Sequence, residues 1–162
     1  MRAVAVVPGT PQSLHIREDV PEPSPKPYEA VVRVHSAGTC ATDIELHQGN
    51  VGRAPEGCDY LVIGHENLGT VEHAPRGSKV KPGDLVISTL RRPCGDYCRP
   101  CLTGEQDMCV TGHFEERGIA GLHGFMCEAY AEDPFYLVRV PPQLAETATL
   151  AAWTFLNVLR EA

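Results

Sequence analysis

Between Arg91 and Cys109 the chain has few large apolar side chains, yet it carries Cys94, Cys98, Cys101 and Cys109. Such a segment cannot hold itself together by burial. Pro93, Gly95, Asp96, Tyr97, Arg99, Pro100, Thr103 and Gly104 build no core to offset the entropy of ordering it. The spacing C-x3-C-x2-C-x7-C lets the chain wrap a tetrahedral zinc ion with little strain, and the metal then supplies the folding energy. The first gap is one residue longer than a usual C-x2-C. Four sulfur ligands leave no open coordination position, so the expected role is structural. Arg91, Arg92 and Arg99 are expected to offset the charge of the thiolates. The competing reading is a set of free or regulatory cysteines.

The rest of the chain reads as short strands joined by turns. Met1–Val7 and Leu14–Glu18 flank the turn Pro8-Gly9-Thr10-Pro11. The run from Val20 to Pro27 has a proline at every second position from Pro21, and it excludes a helix or an inner strand. Glu29–Ser36 alternates, with Val32 and Val34 set against Arg33 and His35. Ala41–Gln48 fits one or two helical turns. Tyr60–Ile63, Leu68–Glu72, Asp84–Leu90, Gly124–Ala131 and Tyr136–Val140 complete the expected strands. Leu144–Ala162 is the only long helical stretch. Many short strands, with 15 glycines and 14 prolines to turn them, predict a mainly β domain with a few short helices, built as a small barrel.

A net charge of -7 without a basic stripe argues against nucleic acid as partner. No apolar run approaches the ~20 residues of a membrane helix, and Met1–Val7 stops at Pro8, too short for a signal peptide. Seven cysteines cannot all pair internally. Clustered thiols fit a reducing compartment, so a cytoplasmic protein is expected.

A second candidate site lies outside the lobe. Cys40 follows a strand and begins a short helix in Gly38-Thr39-Cys40-Ala41-Thr42-Asp43. A helix N-terminus favours the thiolate, the form that binds metal. His65 and Glu66 follow the apolar run Tyr60–Ile63. One Cys, one His and one carboxylate with an open position suit catalytic zinc. Taken singly, each has an ordinary reading: a buried small hydrophobe for Cys40, a surface pair for His65 and Glu66.

Gly-Thr-Cys-Ala-Thr-Asp, Gly64-His65-Glu66-x-x-Gly69, Gly83-Asp84-Leu85-Val86 and the cysteine lobe, in that order, resemble the zinc-containing medium-chain alcohol dehydrogenases. The resemblance runs from Met1 to about Pro142. Arg91-Arg92-Pro93-Cys94, the stretch Thr111–Ile119 and His123-Gly124-Phe125-Met126 resemble the glucose (aldose) 1-dehydrogenase branch. The resemblance implies a GroES-like barrel over residues 1–150, with 151–162 starting the helix that leads to a nucleotide-binding domain. It implies Cys40, His65 and Glu66 as catalytic-zinc ligands. It makes Thr42 a proton relay, Asp43 a residue that orients a zinc-binding group, and Glu116 a contact to substrate hydroxyls. Substrate would be an alcohol or sugar, and hydride would pass to NAD or NADP.

Three features depart from the family. Ala152 stands where a glutamate or glutamine ligand is expected. Leu90 replaces an asparagine that binds the sugar. No G-x-G-x-x-G occurs, and Gly118-x-x-Gly121-x-x-Gly124 precedes a strand and reads as flexible turn glycines. NAD or NADP is therefore expected only with a nucleotide-binding domain supplied as a covalent or separate partner. The alternative function is a non-catalytic zinc-binding structural or interaction module. Cys58 is expected in a loop and Cys127 in a buried strand. The remaining histidines read as surface or ordinary polar positions. Trp153 and Phe155 are expected to leave an apolar patch that favours a homo-oligomer.

Overall fold

The structure is a computed structural model and describes residues 1–145. Ala151, Ala152, Trp153, Phe155 and the body of the expected C-terminal helix lie outside the described residues. The elements run β1 (Ala3–Val6), β2 (His15–Arg17), β3 (Ala30–Ala37), α1 (Ala41–Gln48), β4 (Leu61–Val62), β5 (Asn67–His73), β6 (Leu85–Ser88) and β7 (Arg91–Arg92). They continue with α2 (Arg99–Leu102), a 3-10 turn at Gln106–Met108, β8 (Glu115–Arg117), β9 (Gly121–Leu122) and β10 (Ala129–Glu132). A second 3-10 turn at Pro134–Tyr136, then β11 (Leu137–Arg139) and α3 (Pro142–Ala145), complete the order. No helix among the described residues is long and apolar enough to cross a membrane.

Three sheets carry these strands, in the orders β2-β1-β4, β10-β3-β5-β6-β11 and β7-β8-β9. Alternation decides the faces of β3: Ala30 and Val32 are buried while Arg33 and His35 are exposed. Register shifts at Val31/Val32 and Val34/Ser36 bend β3 against β5. The main core gathers Val32, Val71, Val80, Val86, Phe125, Tyr130 and Leu137 inside the five-stranded sheet. A second cluster packs Leu46 of α1 on Val6, Leu61 and Ile63, which fixes the helix to the smaller sheet.

The expected strand Gly124–Ala131 forms regular ladder only from Ala129 onward. Its first half stitches the sheets together instead. Val4 N donates to Met126 O at 2.8 Å, Gly124 N to Val62 O at 2.7 Å and Val34 N to Glu128 O at 3.0 Å. This irregular seam continues the barrel between the β2-β1-β4 sheet and the five-stranded sheet, so its backbone groups are satisfied without a ladder. Cys127 sits in the seam and is half-buried; burial pushes its thiol up to about 11. The glycines read as flexible are tightly packed. Gly118 lies against Gly64, and a Cβ at 118 would run into the Gly64 carbonyl; Gly64 itself has φ 92°.

The third sheet docks through buried charge. Arg92 of β7 and Arg117 of β8 both reach Glu132 Oε2 of β10; the Arg117 Nε contact is 3.1 Å. Ser88 Oγ donates to the same oxygen at 3.3 Å. Arg117 also donates to the His123 and Ala131 carbonyls, and Arg92 stacks on Tyr136 at 3.9 Å. Neither Arg92 nor Arg91 is left to face the lobe thiolates, since Arg92 is taken by Glu132 and Arg91 pairs with the carboxylates of Glu116 and of Asp107 in the lobe. The charge offset expected from these two arginines is spent on holding β7 and β8.

His123 is not an ordinary surface residue. Its ring stacks on Tyr60, with Arg17 over the far face of Tyr60 at 4.0 Å. His123 Nδ1 accepts the Val62 N–H at 3.1 Å, so the ring is held neutral with that nitrogen unprotonated. Burial, then the Arg117 charge, lower its pKa below 6.5. The unfolded chain therefore binds the proton first as pH falls. Stability contributed at this position is intact above about pH 6.5, falls below it, and levels off once the folded ring is protonated too. Urea unfolding between pH 5 and 7.5 should show this slope in the parent chain and a flatter one in His123→Gln. Parallel curves would place the proton elsewhere.

Candidate metal centres

α1 begins at Cys40 because local chemistry caps it there. The Cys40 N–H donates to Asp43 Oδ2 at 2.8 Å, and Cys40 Sγ accepts the Thr42 N–H at 3.4 Å. This is a capping box with a thiol in place of the usual hydroxyl. Gly49, with φ 75°, ends the helix. The cap holds Cys40 and Asp43 at the end of β3. β5 begins one residue after Glu66, and β3 and β5 pair Ala37 with Asn67, so the register brings His65 and Glu66 to the same end. Cys40 Sγ lies 3.1 Å from His65 Nε2, although 25 positions separate them. Glu66 Oε1 is 3.7 Å from the same nitrogen. Gly38 completes the corner: its N–H donates to Glu66 O at 3.1 Å, and a Cβ there would collide with the Glu66 carboxylate.

The donor set fits a transition-metal ion. Ligand atoms of Cys40, Asp43 and His65 all lie within 4.8 Å of one another. Glu66 reaches His65 but is not part of that group. With Nε2 turned to the thiol, His65 Nδ1 faces Asp43 Oδ1 at 3.8 Å, and both atoms are buried without a hydrogen-bond partner. Orphaned buried polar atoms are costly. A cation at Nε2 would fix the proton on Nδ1 and draw it towards Asp43, relieving both.

The second group, Cys94, Cys98, Cys101 and Cys109, also has its sulfurs within 4.8 Å of one another. α2 supplies Cys101, and the loop after the Gln106–Met108 turn supplies Cys109. Cys94 N donates to Cys101 Sγ at 3.4 Å. The sulfurs share their protons unequally. The Thr111 hydroxyl, then the Cys98 backbone, hold the Cys94 thiol down to about 6, and Thr111 lowers Cys109 too. Although the Cys94 N–H favours its thiolate, burial and the neighbouring sulfurs push Cys101 up to about 12. Four adjacent thiolates repel one another, so full ionisation calls for a divalent cation in exchange for the protons.

The cysteine lobe turns one side to an open cleft of about 540 Å³ lined by Arg53, Pro93, Gly95, Gly112, His113 and Glu115. None of these residues belongs to the Cys40–His65 group. Glu116 lies one residue beyond Glu115, and its carboxylate accepts from Arg91 Nε at 2.6 Å.

Residues 26–142 match the family described as the alcohol dehydrogenase GroES-like domain. The chain belongs to that family. The GroES-like domain is 48% identical to a glucose 1-dehydrogenase of Methanocella arvoryzae over 151 residues, covering 93% of this chain and 42% of that protein. It is 44% identical to the glucose 1-dehydrogenase of Thermoproteus tenax, with the same coverages. Among solved structures, Haloferax mediterranei glucose dehydrogenase in complex with NADP, Zn and gluconolactone superposes with a TM-score of 0.79 at 38% identity, over 91% of this chain and 41% of that one. A Thermus alcohol dehydrogenase superposes with a TM-score of 0.68 at 29% identity, over 88% of this chain and 40% of that one. The chain thus spans about two fifths of the length of these dehydrogenases.

Local spacing pointed to the four-cysteine lobe, whereas Cys40, His65 and Glu66 were singled out through the family resemblance. Sequence reasoning missed Arg53 and Glu115, whose convergence depends on folding, and it missed Glu132. A signal for Glu132 existed: it shares a strand face with buried Tyr130, where a charge demands a partner.

Proposed function

We propose that this chain is the substrate- and zinc-binding part of a zinc-dependent NAD(P) dehydrogenase acting on the CH–OH group of an alcohol, polyol or aldose of the glucose type. The observation that carries this reading is the meeting of Cys40 Sγ and His65 Nε2 at 3.1 Å beside Glu66 and Asp43. Cys40, His65 and Glu66 would hold the catalytic zinc; Cys94, Cys98, Cys101 and Cys109 would hold the structural one. A zinc ion bound at the first set acts as a Lewis acid that makes a substrate hydroxyl more acidic. Thr42, two residues along α1 from Cys40, carries that proton towards solvent through its hydroxyl. Asp43 fixes the His65 ring by facing Nδ1. Glu116 is held in place by Arg91 and accepts hydrogen bonds from substrate hydroxyls.

Residues 1–150 form the catalytic domain in this reading, and 151–162 start the helix towards a nucleotide-binding domain. Such a domain would supply NAD or NADP; the Haloferax enzyme is in complex with NADP. Ala152 offers no ligand, so water or substrate would complete the coordination. A cytoplasmic setting suits the unpaired thiols.

Metal counting tests the proposal. The purified chain should bind about two zinc ions, and Cys40→Ala should bind about one, with the lobe unaffected. One zinc in both proteins would instead favour a non-catalytic zinc-binding module.

A further inference from the structure

The cleft beside the lobe has an unusual combination of fixed polar groups. Arg53 is pinned through its backbone on both sides: its N–H donates to Ile119 O at 3.0 Å, and its carbonyl accepts from Gly121 N at 2.8 Å. Its guanidinium lies over Gly121, where a Cβ would stand 2.9 Å from both terminal nitrogens. No carboxylate among the described residues lies within salt-bridge range of it. Glu115 lines the same cleft and is half-buried, and its carboxylate has no hydrogen-bond or ion-pair partner among the described residues. His113 is oriented by Asp96, whose Oδ2 is 2.6 Å from Nδ1, leaving Nε2 free for another partner. Gly95 and Gly112 add backbone that a ligand can approach closely.

The geometry points to a second polyhydroxyl subsite here, in which Arg53, His113 and Glu115 bind hydroxyls of a neutral sugar or polyol. Charge decides the class of ligand. One guanidinium and one carboxylate cancel, so the cleft has no net attraction for an anion. A diol, by contrast, satisfies both at once, accepting from the guanidinium through one oxygen and donating to the carboxylate through the next. The volume of about 540 Å³ lies within the roughly 300–1,000 Å³ of small-molecule sites. The cleft borders the β8–β9 connection, whose Gly118 rests on Gly64, next to His65. The subsite rests on the sugar-dehydrogenase reading above, and it extends recognition away from the reacting carbon.

An NMR titration of the full chain with D-glucose tests it. Saturable shifts are expected at Gly95, Gly112, His113 and Arg53 Nε–H. Arg53→Gln/Glu115→Gln should weaken binding at these signals by about tenfold or more, with the rest of the spectrum unchanged. Absent shifts, shifts confined to the surroundings of Cys40 and His65, or tighter binding of gluconate than of glucose would each overturn the proposal. The titration does not require metal at Cys40. A failed zinc count at Cys40 would therefore defeat the dehydrogenase reading while leaving these signals in place, and their loss in a chain binding zinc at Cys40 would defeat the subsite alone.

Discussion

Removing zinc from the four-cysteine lobe, with a chelator or by Cys98→Ser, is expected to disorder the chain from Pro93 to Cys109 while the barrel strands stay folded. The lobe has almost nothing else to hold it. Its helix α2 is four residues long, far below the length that is stable alone. Tyr97, Leu102, Met108 and Val110 are 67–77% exposed, so burial contributes little. Zinc in sites of this type is worth about 10–16 kcal/mol at neutral pH, as much as the whole stability of an ordinary domain. Limited proteolysis would read the change as new cleavage after Tyr97, Leu102 or Met108, with the β1–β6 fragment intact. The disorder should stop near Arg92, because that side chain is anchored to Glu132. A lobe that keeps its protease resistance after the metal is stripped is organised by something other than metal.

Glu132→Ala should cost the fold about 3–5 kcal/mol, the loss seen when one partner of a buried ion pair is removed. The carboxylate is 4% exposed and serves two guanidiniums, of which Arg92 is 7% exposed. Burial already lowers the Arg92 pKa, a sign that its charge is poorly solvated. Without Glu132 both cations would stay buried beneath Tyr136 and Tyr130 with only carbonyls and Ser88 Oγ to meet them. Arg117→Met should cost less, since it leaves a balanced Arg92–Glu132 pair. Urea unfolding of the two variants gives the comparison. A loss below about 1 kcal/mol in Glu132→Ala, or a larger loss in Arg117→Met, would show that water reaches the network and screens it.

How far the two metal sites were legible differs for a physical reason. Cys94, Cys98, Cys101 and Cys109 lie close along the chain, so their spacing alone encodes a short, cheaply closed loop. The Cys40 corner was legible only in part. The thiol, Thr42 and Asp43 share one helical turn, and their capping pattern is local. That His65 meets the thiol follows from the pairing of Ala37 with Asn67, a matter of strand register. Motif resemblance reached the same conclusion by another route.

What the sequence by itself determined was the mainly β class, the cysteine lobe and the cap of α1, because turn residues, alternation and ligand spacing act over a few positions. Tertiary structure alone decided where the charges went. Arg91 and Arg92 look from their neighbours like companions of the lobe thiolates, but sheet pairing delivers them to Glu116 and Glu132. It also decided that Gly124–Glu128 would be a seam rather than a strand, and that Arg53 and Glu115 would line one cleft. Buried charges take whichever opposite charge the packed strands bring within reach, and distance along the chain carries no record of that.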